Sequence, residues 1–133
     1  MTKLLSKIQN ELFARHNKNV DAISEIKNSD ALFDKRALVY FNQMTALREE
    51  NKYIEFLLAS LPLKKSKFYE SKFIDEVVER VELDLRMIAI GSEDQNVIKN
   101  RKIRIGVYKV LVKIISKDTT GNFNAAYLSK ILN

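Results

Sequence analysis

The hydrophobic positions of the chain recur at helical intervals over most of its length. In the first segment Leu4, Leu5, Ile8 and Leu12 fall on one face, and Ile23 and Ile26 return to it. Thr2 stands where an N-cap belongs. Between the two apolar groups lies His16-Asn17-Lys18-Asn19, and asparagine competes with the helix for backbone hydrogen bonds. The pattern predicts a first helical segment with a break near residue 18.

Ser29 and Asp30 offer caps for a second segment, in which Leu32, Phe33, Val39, Tyr40, Met44, Leu47, Ile54, Leu57, Leu58 and Leu61 share one broad face. No Gly or Pro interrupts it until Pro62, which disfavours helix at Leu61, so one helix is predicted from about residue 30 to Leu61. Three apolar residues, Leu38, Phe41 and Phe56, fall off that face. They mark a second apolar strip and a candidate protein interface, because a helix apolar on two sides is either central in its bundle or touches another chain.

From Lys67 to Ile90, after a possible Ser66 cap, Phe73, Ile74, Val77, Val78, Val81, Leu85 and Ile88 form a helical stripe. Val81 to Met87 also alternates with Glu82, Asp84 and Arg86 as a strand does, but the longer window favours helix. Asp84 lies close to the apolar face. Gly91 has the place of a helix-closing residue, and Ser92 with Gln95 has capping-box spacing.

The segment from Asn96 to Lys117 is rich in β-branched residues, and residues 103–115 are compatible with strand as well as helix. Ile103, Val107, Val110, Leu111 and Ile114 hold a helical stripe across it, which favours helix. Asp118 to Gly121 reads as a turn, followed by a short terminal helix through Tyr127, Leu128, Ile131 and Leu132. The expected fold is all-α, an antiparallel bundle of four main helices plus a short C-terminal helix, with the second helix as its spine. The chain reads as a single helical domain over residues 1–133.

Composition narrows the chemistry. With no Cys and one His, the chain has neither thiol nucleophiles nor the ligand sets of zinc fingers and iron–sulfur clusters. Phosphate-binding glycine loops and serine-hydrolase motifs are also missing from the sequence, and the three glycines are dispersed. Glu76, Glu79 and Glu82 lack the Glu-x-x-His partner of a diiron bundle. His16 reads as a surface side chain. No catalytic residue, cofactor or metal is therefore expected, and no enzyme activity.

Unbroken apolar runs are short, Phe56 to Ala59 and Met87 to Ile90 at four residues each and Ala37 to Phe41 at five, so no membrane association is expected. The polar-interrupted N-terminus does not read as a signal peptide, and a cytoplasmic location follows as the expectation. Lys outnumbers Arg sixteen to seven, as in proteins of AT-rich phage, plasmid or viral genomes.

Charge gives the strongest functional pointer. Residues 1–61 carry nine Lys/Arg and eight Asp/Glu, and residues 62–95 carry six and eight. Residues 96–133 carry eight against the single Asp118, so a local +7 outweighs the net +6 of the whole chain. Lys99, Lys102, Lys109, Lys113 and Lys117 fall within roughly a quarter of the helical wheel, flanked by Arg101 and Arg104. A line of cations of this kind suits phosphates and predicts binding to DNA or RNA. Two readings compete with it, a solvated face and pairing with Asp75, Glu76, Glu79 and Glu82.

Lys64, Lys65 and Lys67 form a second cluster beside Phe68 and Tyr69, a pairing that suits single strands because any base can stack. The residues 122–132 resemble one helix of a helix-turn-helix, but docking of Tyr127, Leu128 and Ile131 into the core fits the stripe better. The leading expectation is a nucleic-acid-binding accessory protein. The alternative is a helical module that binds a protein partner or forms a homo-oligomer.

Overall fold

The fold, seen in a computed structural model, is an antiparallel bundle of four long helices with a short fifth, and no strand occurs among the described residues. The structure describes residues 1–33, 35–117 and 123–132. The long helices are α1 (Lys3–Asn28), α2 (Ala37–Ser60), α3 (Lys67–Ile90) and α4 (Gln95–Ser116), and α5 is Phe123–Leu132. A 3-10 turn, Asp30–Phe33, joins α1 to α2. The expected turn over Asp118 to Gly121 lies outside the described residues.

Several ends follow from local chemistry. Thr2 accepts from the Leu5 amide at 3.2 Å and opens α1. Ser66 accepts from Phe68 at 3.2 Å and opens α3. Gly91 closes α3 at φ 68°, a left-handed backbone that a Cβ would strain. Other ends differ from expectation. Asp94, rather than Ser92, caps α4, accepting from the Asn96 amide at 2.8 Å. Ser29 closes α1 instead of opening α2, its hydroxyl donating to the Ile26 carbonyl at 2.8 Å. The second helix accordingly starts at Ala37, after the 3-10 turn.

The break predicted near residue 18 does not occur, because Asn19 has a partner outside its own helix. Its amide donates to Asn51 Oδ1 at 2.9 Å and to Glu50 Oε1 at 3.1 Å, and Asn51 donates to the His16 carbonyl at 3.3 Å. With Asn19 and Asn51 both buried, these bonds satisfy polar groups that burial would otherwise penalise. The residue that reads as a helix breaker is a cross-link between helices.

The main core is gathered at one end of the bundle. It takes Leu4, Leu5, Ile8 and Leu12 from the start of α1, and Ile54, Leu57 and Leu61 from the end of α2 and just beyond. Phe73, Ile74, Val77 and Val81 join from α3, Val107, Tyr108, Leu111, Val112 and Ile115 from the latter half of α4, and Leu128 from α5. Ile23 and Met44 are buried outside this cluster. At the opposite, open end, Phe33 and Val39, expected on the core face, are 90% and 57% exposed. The spine is α4, not α2, since α4 packs against α1, α2, α3 and α5.

Candidate functional site

The packing of α4 decides what it shows to solvent. Val107, Tyr108, Leu111, Val112 and Ile115 are drawn into the core, which turns the far side of the helix outward. Lys99, Lys102, Lys109, Lys113 and Lys117 are all exposed there, and none forms an ion pair with a described residue. At 1.5 Å per residue the row is about 27 Å long. Gly106 interrupts it on the same face, and a Cβ there would meet nothing within 4 Å, so packing does not demand the gap. Among the described residues, no ion pair joins these lysines to Glu76, Glu79 or Glu82. Glu82 instead accepts a hydrogen bond from the Tyr127 hydroxyl of α5.

Arg101 and Arg104 are held on the opposite side of α4, inside the bundle. The buried Asp84 of α3 accepts from Arg101 Nη1 at 2.7 Å, from Arg104 Nη2 at 3.0 Å and from Arg104 Nε at 3.1 Å. Arg101 also forks onto Glu93, at 2.7 and 3.0 Å. Hydrogen bonding to Glu93 and Asp84 holds the Arg101 guanidinium well above its usual pKa, and bonding from Arg101 lowers that of Glu93. The proximity of Asp84 to the apolar stripe was the sequence signal of this network. Its partners were not legible, because they depend on the rotation of α4 against α3.

The second basic cluster sits at the core end. The short turn between α3 and α4 makes them antiparallel, so Lys117 and the 64–67 connector share that end of the bundle. Lys64 and Lys65 are exposed, with Lys64 Nζ 5.4 Å from the centre of the Tyr69 ring. Lys67 pairs with Glu70 at 3.5 Å, and Phe68 is 69% exposed. The Met1 ammonium donates to the Leu63 carbonyl at 2.7 Å and ties the connector to α1.

The off-face residues of α2 fall into two places. Leu38 and Phe41 are 71% and 55% exposed at the open end, next to Phe33 and Val39. Phe56 lies about four turns beyond Phe41, and Thr45, Glu49 and Lys52 occupy the same face between them, so the apolar strip is interrupted. His16 is a partner of Glu55, Nε2 to Oε1 at 2.9 Å. No group of His, Cys, Asp or Glu side chains fit to hold a metal occurs among the described residues, nor is any helix long and apolar enough to cross a membrane.

Between α2, α3 and α4 lies a cleft of about 310 Å³, lined by Tyr53, Phe56, Arg80, Leu83, Arg104 and Tyr108 above the Asp84 network. Periodicity gave no sign of it, since it is assembled from three helices. Tyr53 and Tyr108 join their hydroxyls there, and burial raises both phenols above the ordinary tyrosine range. Comparison with protein-family models, with curated proteins and with solved structures finds no match to this chain.

Proposed function

We propose that the protein is a non-enzymatic, cytoplasmic nucleic-acid-binding accessory protein that tracks phosphates of DNA or RNA with the lysine face of α4. The observation that carries this reading is the row Lys99, Lys102, Lys109, Lys113 and Lys117, exposed and free of ion pairs with described residues while both arginines of the helix are engaged internally. Phosphates spaced along a strand match such a row. Lys64 and Lys65 add positive charge at the same end of the bundle as Lys117.

Fluorescence anisotropy with duplex and single-stranded oligonucleotides across salt concentrations tests it. Lys109→Gln with Lys113→Gln is expected to weaken binding to every sequence and to reduce the slope of log affinity against log salt by about 0.7 to 0.9 per lost contact. The melting temperature should stay unchanged, because exposed lysines contribute little to folding. Unaltered affinity and slope overturn the proposal.

A second reading, self-association at the open end, rests on Phe33, Leu38, Val39 and Phe41, four large apolar side chains each more than half exposed. Sedimentation velocity at micromolar concentration is expected to show a concentration-dependent coefficient that Leu38→Ser with Phe41→Ser abolishes. A concentration-independent monomer would sink this reading.

A further inference from the structure

The cleft between α2, α3 and α4 presents two guanidinium groups around a pair of aromatic rings. Tyr53 and Phe56 stack with centroids 5.8 Å apart and planes 21° from parallel. The Arg80 guanidinium lies 4.6 Å from the Phe56 ring centre, and that of Arg104 lies 5.8 Å from the Tyr53 ring centre. Each ring of the pair thus carries one guanidinium, and both arginines line the same cleft.

The two arginines differ in what they have left to give. Arg104 spends Nε and Nη2 on Asp84, and no described acceptor takes Nη1. Arg80 forms no ion pair or side-chain hydrogen bond with a described residue, and its described contact is the Phe56 ring. Counting Arg80, Arg101 and Arg104 against Asp84 and Glu93, the cleft and its floor carry three positive and two negative charges. One positive charge is uncompensated. Beside it, Phe56 and Leu83 are 42% and 47% exposed, giving an apolar wall.

We propose that this cleft binds a small organic phosphate, its phosphoryl oxygens between Arg80 and Arg104 and its organic part against Phe56 and Leu83. A phosphate monoester has three oxygens for two guanidinium forks, whereas a carboxylate has two. Stacking on aromatic rings keeps guanidinium groups oriented, which lowers the ordering cost of anion capture. The Asp84 network holds the base of the cleft, because Arg104 cannot swing away without leaving a buried carboxylate short of donors. The site lies on the side of α4 away from the lysine row and does not depend on nucleic-acid binding.

Calorimetric titration with phenyl phosphate, adenosine monophosphate, inorganic phosphate and benzoate, combined with amide and aromatic NMR shifts, tests the assignment. Both organic phosphates are expected to saturate, to bind about tenfold more tightly than inorganic phosphate or benzoate, and to perturb Tyr53, Phe56 and Arg104. Arg80→Gln should weaken them at least about tenfold with an unchanged melting temperature, and Arg80→Lys should restore only part. Lys109→Gln with Lys113→Gln should leave this binding intact. The proposal is overturned if neither organic phosphate saturates at millimolar concentration, if Arg80→Gln binds as well as the parent, if inorganic phosphate or benzoate binds equally tightly, or if the shifts map to the lysines of α4.

Discussion

Tyr108 is 1% exposed, and Tyr53 is the partner of its hydroxyl, their rings meeting edge to face with centroids 5.4 Å apart. Burial favours the neutral phenol of both in the folded protein, raising each above the ordinary value of 10.0. The unfolded chain loses these protons first as pH climbs. Stability from the pair is thus full below pH 10 and is lost as pH rises through the folded-state values, which thermal melts at increasing pH should show as a falling midpoint. Tyr53→Phe strands the Tyr108 hydroxyl and is expected to cost about 1 to 3 kcal/mol in urea unfolding. Adding Tyr108→Phe should recover part of that loss, since no orphan then remains. Asn19 teaches the same lesson about legibility. Its intrinsic preference, correctly read, opposes helix, but a buried partner on α2 outweighs a propensity of well under 1 kcal/mol.

Among the elements, α3 was the most legible, because its ends are fixed by single residues with local effects. Ser66 and Gly91 act on their own turns, and the stripe between them spans the whole helix. The start of α2 was illegible for the opposite reason. Val39 and Phe33 continue the apolar face in sequence, but the main core does not extend to them, so periodicity had nothing to report. Where the hairpin of α3 and α4 lacks that core, it is joined by charge. Asp84→Ala leaves Arg104 without its carboxylate and Arg101 with only Glu93, and is expected to destabilise the protein by about 3 kcal/mol in urea denaturation. A change below about 0.5 kcal/mol would show that the network orients side chains without holding the hairpin.

At the scale of the whole molecule, the fold class and the lysine row were legible, whereas the division of the positive charge was not. The +7 of residues 96–133 looked like one basic surface. In three dimensions α4 separates it into exposed lysines and internally bonded arginines, a difference of rotation about one axis that no count of charges contains. The gathering of the main core at one end has a further consequence, for how the protein breathes. An amide exchanges with solvent deuterium only when its hydrogen bond opens, and local opening is cheap where few apolar contacts must part. Exchange rates should therefore be graded along single helices. Amides of Leu57, Val77 and Leu111 are expected to be slowest, and those near Val20, Phe41 and Val97 faster by orders of magnitude, in pulsed deuterium labelling read by NMR. Equal protection along each helix would mean that opening is all or none. A graded pattern would make this bundle a clasp that loosens from its open end while its hinge stays shut.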